Sequence, residues 1–298
     1  MFGKYLTALL SLLLIGVEPS GAAERPAASA DIAGACGERD GWSDPAPPAH
    51  IHGRSWYVGT CGITVVLVET LSGLVLIDTG PVEAAPQVLA NIRALGFDPA
   101  GIKLVLMTHE HFDHVGGMAE ILRATGAKLL TGEGAAQVMR TGLPAADDPQ
   151  AGWLAEQPME PVKISRVLRH RKSVRLGGTR FTIYATPTHS PGSTSWSWRS
   201  CQDGQCLTIA LADSNSAIST DDYHFSDHMD RVGAARAGLR IMEQMPCDLM
   251  LTPHPGQSNL LQRLSGREPL VYPNACATYA AGATDRLDNR LASEAAAQ

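Results

Sequence analysis

The chain has 298 residues, 44% hydrophobic and only 18% charged, which is enough apolar material for one large core or two small ones. A formal net charge of −6 gives no overall basic footprint, so nucleic acid is not an expected partner. Beyond the N-terminal stretch, no segment approaches the roughly 20 apolar residues that a membrane-spanning helix requires.

Residues 1–23 read as a cleavable export signal. Lys4 supplies the positive start, Tyr5–Val17 the apolar run, and Ser20-Gly21-Ala22-Ala23 the small residues before cleavage. The apolar run of about 13 residues is too short to span a bilayer. The expected mature protein is a single domain over residues 24–298, periplasmic or secreted, with an Ala-rich, poorly structured start from Glu24 to about Ala35. Cys36, Cys61, Cys201, Cys206, Cys247 and Cys276 all follow the signal, and an oxidising compartment makes disulfides their natural state. Of the roughly fifteen pairings six cysteines allow, neighbourhood in sequence favours Cys36–Cys61, Cys201–Cys206 and Cys247–Cys276.

After a Pro-rich segment whose His50 and His52 read as surface residues, the chain turns β-rich. Ile63–Glu69 and Leu74–Ile77 form a hairpin around Thr70-Leu71-Ser72-Gly73. Val82–Leu95 has helical spacing with a Gly96 stop, and Ile102–Met107 is a buried strand. Gly117–Thr125 reads as helix, Lys128–Leu130 as strand and Ala135–Arg140 as a short helix. Thr141–Pro161, with four prolines, reads as a long surface loop, the kind that often forms a functional rim. His170 falls in a basic run. Phe181–Thr186, Thr194–Trp198 and Leu207–Leu211 are strands, and His224 and His228 lie in a polar, acidic stretch as surface residues. Met229–Met245 is an amphipathic helix, with Val232, Ala235, Leu239 and Met242 on one face. Leu249–Thr252 is a last strand and Asn274–Ala295 a terminal helix. This order of elements predicts two sheets sandwiched between helices.

The chemistry concentrates in Leu104-Val105-Leu106-Met107-Thr108-His109-Glu110-His111-Phe112-Asp113-His114. A buried strand delivers three histidines and an aspartate into one loop. His109 and His111, two apart, point the same way in extended chain; Asp113 and His114 address a second position. Imidazole with carboxylate suits zinc rather than calcium or magnesium. Two further strand ends finish in histidine, at Thr186-Pro187-Thr188-His189-Ser190-Pro191-Gly192 and at Thr252-Pro253-His254-Pro255. Alone, a strand-end histidine is usually structural. Three such ends together predict a binuclear site.

The His109-Glu110-His111-Phe112-Asp113-His114 run resembles the signature of the metallo-β-lactamase superfamily. The chain is also similar to subclass B3 metallo-β-lactamases in several stretches: His114 as a ligand, Ser214 after Asp213, Thr188–Gly192, Pro246-Cys247-Asp248 through Pro253-His254-Pro255, and Ala275-Cys276. The likeness covers roughly residues 57–279. It implies an α/β fold, the four-layer αβ/βα sandwich, and two Zn2+ ions, one on His109, His111 and His189, the other on Asp113, His114 and His254. It implies the Cys247–Cys276 pair and hydrolysis of the β-lactam amide by a metal-bound hydroxide, an antibiotic-resistance activity. Asp113 would also hold the attacking group by hydrogen bond, and Ser214 and Ser216 would bind the substrate carboxylate. Asp78 would brace the ligands. The expected partner is a small β-lactam, and the expected assembly a monomer. The alternatives are a lactone or thioester hydrolase resembling glyoxalase II, in which Asp213 would bridge the metals, and a non-catalytic zinc-binding protein. The open coordination positions that six ligands leave on two metals argue against the latter.

Overall fold

The computed structural model describes Phe2 and residues 31–297; apart from Phe2, the expected export signal lies outside the described residues. One sheet keeps its strands in sequence order: β1 (Ala49–His52), β2 (Ser55–Tyr57), β3 (Val66–Thr70), β4 (Gly73–Ile77), β5 (Ile102–Leu106), β6 (Lys128–Gly132) and β7 (Ile164–Leu168). Pairing is antiparallel up to β4 and parallel from there on. The other sheet holds β8 (Ser173–Leu176), β9 (Thr179–Ala185), β10 (Thr194–Gln202), β11 (Gln205–Leu211) and β12 (Leu249–Leu251) in the spatial order β12-β11-β10-β9-β8. The helices are α1 (Ile32–Cys36), α2 (Ala85–Ala94), α3 (Phe112–Val115), α4 (Met118–Thr125), α5 (Ala136–Thr141), α6 (Ala151–Leu154), α7 (Met229–Gln244), α8 (Leu260–Leu264) and α9 (Ala275–Ala297).

Alternation along the strands explains the layers. Val66, Val68, Val75, Ile77, Leu104 and Leu106 face the second sheet, where they meet Phe181, Ile183, Trp196, Trp198, Ile209 and Leu211. Their neighbours Leu67, Leu76 and Val105 face outward onto Val88 and Ile92 of α2 and Met118 and Ile121 of α4. On the far side, Tyr184, Ala210 and Met250 meet Leu239 and Met242 of α7 and Ala280 and Ala283 of α9. A strand buried on both faces must be apolar at every position, which is why Leu74–Ile77 reads as a continuous run. The expected four-layer sandwich is the fold.

The sheets are also stitched beside the strand that carries the histidines. Trp196 Nε1 donates to Met107 O (2.8 Å) and Thr194 Oγ1 to Thr108 O (2.8 Å). Truncating a fully buried tryptophan such as Trp196 costs about 3–5 kcal/mol, so this contact anchors the loop that follows.

Several expectations need correction. The start is not unstructured as far as Ala35: the Asp31 side chain caps α1, whose Ile32, Ala33 and Cys36 are buried. Ile63–Val65 precede β3 rather than joining it, and Thr64 N donates to Pro253 O (2.7 Å), across to the His254 turn. His50 and His52 lie on β1, and His52 is buried. Strands β1, β2, β7 and β8 were not expected, and the loop over residues 141–161 contains α6. All three expected disulfides form.

Candidate metal centre

The C-terminal ends of β4, β5, β9, β11 and β12 meet at one edge of the sandwich. Just past β5, Thr108 is gripped by Asp78 from the end of β4: its N–H and hydroxyl each donate to one Asp78 oxygen at 2.7 Å. Thr79 N and Gly80 N donate to His114 O (2.9 and 3.1 Å). Asp78 adopts a left-handed backbone, φ 64°, which aspartate tolerates better than most residues. The loop over residues 109–114 is therefore fixed at both ends by one short turn, and Asp78 braces it through Thr108 rather than by accepting from a ligating histidine, His114 Nδ1 lying 3.9 Å away.

His109, His111 and His189 come together with ring centroids 4.7–4.9 Å apart. Each ring is fixed from behind. His109 Nδ1 bonds Asp213 Oδ1 (2.9 Å), His111 Nε2 bonds Asp148 Oδ2 (2.9 Å), and His189 Nδ1 donates to Ser216 O (2.9 Å). These partners select the nitrogen that remains: Nε2 of His109, Nδ1 of His111 and Nε2 of His189, the usual arrangement for metal-binding imidazoles. His109 Nε2 is buried without a hydrogen-bond partner among the described residues. His189 Nε2 faces the Gln150 amide nitrogen at 3.3 Å.

Asp113, His114 and His254 form a second group. Asp113 Oδ2 lies 3.1 Å from His114 Nε2 and 3.3 Å from His254 Nε2, and the two nitrogens are 3.2 Å apart. Three lone-pair atoms so close, with His109 Nε2 orphaned beside them, fit a divalent ion of zinc's chemistry.

Protonation agrees. Burial, reinforced by neighbouring imidazoles, holds His109 and His189 well below the ordinary histidine range; His114 is also lowered, chiefly by burial. Neutral imidazole is the form that binds metal. Burial also works against charge on His111, but the Asp148 carboxylate outweighs it and raises that group. Burial opposes the Asp113 carboxylate too, yet His114 and His254 hold it well below the usual range.

Two clasps hold the His189 turn. Glu110 accepts from Ser190 Oγ (2.9 Å) and Gly192 N (2.8 Å). A Cβ on Gly192 would lie 2.4 Å from that carboxylate, so only glycine permits the approach. From α7, buried Arg231 donates to Pro187 O (2.6 Å) and Thr188 O (2.8 Å). Sequence reasoning missed Glu110, Asp148, Gln150 and Arg231. Only Glu110, between two ligands, carried a positional signal.

Ser214 is fully buried and its hydroxyl has no partner among the described residues; Ser216 is half-buried, its hydroxyl 3.3 Å from His189 Nδ1. His224 and His228 are exposed, as expected, and His228 stacks on Tyr223. A groove of about 440 Å³ runs from His254 past Gly62 to Trp42, whose ring packs edge-on against Phe112.

Known proteins resemble this chain in sequence and fold. Residues 58–202 match the family model of the metallo-beta-lactamase superfamily. The solved structure of the MIM-1 metallo-β-lactamase of Novosphingobium pentaromativorans is 52% identical with a TM-score of 0.87, covering 89% of this chain and 98% of that one. MEM-A1, a subclass B3 metallo-β-lactamase isolated from a soil metagenome library, is 34% identical with a TM-score of 0.82, covering 87% and 100%. Among curated relatives, the hydroxyacylglutathione hydrolase of Anaeromyxobacter dehalogenans is 32% identical over 133 residues, 45% of this chain. Here the match spans only 39% of the relative's length.

Proposed function

The chain belongs to the metallo-β-lactamase superfamily, and from that premise we propose that it is an exported, subclass B3-like hydrolase that opens the β-lactam amide with two zinc ions. One observation carries the reading: six side chains from three strand ends bring their ligand atoms together in two adjacent groups. His109, His111 and His189 would hold one ion, and Asp113, His114 and His254 the other. Bound there, zinc supplies Lewis acidity, polarising the lactam carbonyl and bringing the pKa of water towards neutrality.

The chain's own residues do the rest. Asp213, Asp148 and the Ser216 carbonyl fix the rings of the first group, so that no ligand reorganises during turnover. Asp113 would help hold the second ion and would orient the attacking water by hydrogen bond. Ser216, at the edge of the site, would receive the substrate carboxylate, and Ser214, whose hydroxyl is buried in this structure, would join it only by turning outward. No side chain need act as a covalent nucleophile.

The thioesterase reading, favoured by the hydroxyacylglutathione hydrolase likeness, needs Asp213 between the metals. Asp213 instead sits behind His109, on Nδ1, across the ring from the orphaned Nε2, which supports the lactam reading. The three disulfides suit the export expected from residues 1–23.

The decisive experiment is hydrolysis of a chromogenic cephalosporin with and without a chelator. Turnover that chelation abolishes and zinc restores is the expected result. Folded, zinc-loaded protein that leaves the cephalosporin intact while hydrolysing a thioester or lactone would overturn the substrate assignment.

A further inference from the structure

The end of the sandwich opposite the metal centre carries a different chemistry. Residues 161–202 contain eight lysines and arginines and no carboxylate, so the other sixteen cations of the chain are set against all 30 of its acids. Three of the eight, Arg175, Arg180 and Arg199, lie on the second sheet at this end; Lys163, Arg166 and Arg169 belong to or flank β7 of the first sheet, with Arg169 paired to Glu133 (3.1 Å). Arg175 pairs directly with Arg180 across β8 and β9, and the β9–β10 register, extended one residue beyond Phe181↔Trp198, sets Arg180 beside Arg199. All three point outward, because their neighbours Val174, Phe181 and Trp198 point into the core. Like charges abreast on a sheet destabilise it, so folding alone does not account for the row.

Beside the row stands an apolar tip. Leu71, at the β3–β4 turn, is 78% exposed. It is held against the β8–β9 turn, its N–H bonded to Gly177 O (3.4 Å). Gly177, at φ +50°, lets the turns touch: a Cβ there would lie 2.4–2.5 Å from the amide nitrogens of Ser72 and Leu71. Arg54, Arg199 and Leu71 line one shallow groove with Glu69, and Lys103 lies along Gly73. The carboxylates facing this end are Glu69, which shares the groove with Arg54 and Arg199, exposed Asp98 just before β5, Asp203 at the β10–β11 turn, and Asp248, which accepts from Thr208 N.

We propose that this end is a peripheral membrane-docking surface, with Leu71 entering the headgroup layer and Arg54, Arg175, Arg180, Arg199 and Lys103 engaging anionic phospholipid phosphates. An exposed apolar residue ringed by cations is the combination that interfacial binding uses. Nucleic acid calls for stacking aromatics along a basic groove, and none of the exposed large aromatics among the described residues, Phe2, Trp42 and Trp153, lies at these turns. Docked this way, the metal centre faces away from the bilayer, open to soluble substrate.

The test is co-sedimentation with vesicles of phosphatidylcholine alone or mixed equally with phosphatidylglycerol, comparing wild type with L71D and with the double variant R180E/R199E. Residues 5–17 are common to all three proteins, so differences among them report this end alone, and thermal unfolding checks that each variant is folded. Wild type should bind the anionic vesicles and release as salt rises. Each lost cation should weaken binding roughly fivefold, so the double variant should lose well over about 25-fold, and L71D about tenfold. Equal binding to neutral vesicles, or unchanged binding by both folded variants, would overturn the proposal. So would a DNA oligonucleotide that competes the protein off the vesicles.

Discussion

The two ligand groups sit side by side but are built differently. His109, His111 and His189 are each backed by a close acceptor at 2.9 Å, two of them buried carboxylates. In the second group, His114 Nδ1 has no hydrogen-bond partner among the described residues, Asp78 lying 3.9 Å away. The His254 side chain is 25% exposed and its Nδ1 faces Gly62 O at 3.2 Å. Outer partners fix ring orientation and raise ligand basicity, so on the proposed two-zinc reading the three-histidine position should be the rigid one, and an ion on Asp113, His114 and His254 is expected to exchange more freely.

The largest expected effect comes from removing a ligand of the rigid group. H109A should lower cephalosporin hydrolysis by more than about 100-fold, beyond the range typical of outer-partner changes, and should bind one fewer zinc by elemental analysis. Retention of two tightly held ions would break the assignment. Next, graded chelation should separate the groups: the first ion to leave should come from Asp113, His114 and His254. Cobalt substitution followed by absorption spectroscopy reads this directly, and simultaneous loss of both ions would erase the contrast. Replacing an outer carboxylate is the third step. D148N keeps an amide oxygen near His111 but removes the charge. It should weaken the three-histidine position by about 10–100-fold in a chelator competition while leaving the second position unchanged.

Asp148 also marks where sequence reading stops. His109, His111, Asp113 and His114 were legible because they are contiguous and follow a strand apolar enough to be recognised. His189 and His254 were legible because Pro and Gly mark the turns holding them. Asp148 stands in a Pro-rich stretch with no period, and its role depends on that loop folding back over residues 109–114, with Thr220 N holding Pro149 O at 3.0 Å. The fold divides in the same way. Central strands buried on both faces announced themselves, whereas β7 and β8, edge strands with Arg166 and Arg175 exposed, carry too few apolar residues to stand out. The helix α1 is stabilised by partners remote in sequence, Cys61 by disulfide and Ser265, whose Oγ accepts from Ala33 N, and no local pattern reports those.

The smallest effect tests whether the rigidity of the first group resides in its rings or also in the backbone that carries them. Arg231 uses both terminal nitrogens on successive carbonyls, Pro187 O and Thr188 O, immediately before His189. A lysine brings one ammonium where the guanidinium brings a planar fork, so R231K can hold at most one of these carbonyls well. If backbone position matters, R231K should weaken zinc at the three-histidine position a few-fold, on the order of the 0.5–1.5 kcal/mol of one hydrogen bond, with KM for the cephalosporin little changed. The second position should be untouched, because Asp113, His114 and His254 hang from the ends of β5 and β12 and make no contact with this turn through Arg231. A fall in thermal stability with both metal affinities intact would place Arg231 in the packing of α7 alone, leaving Asp213, Asp148 and the Ser216 carbonyl as the whole source of the contrast between the groups.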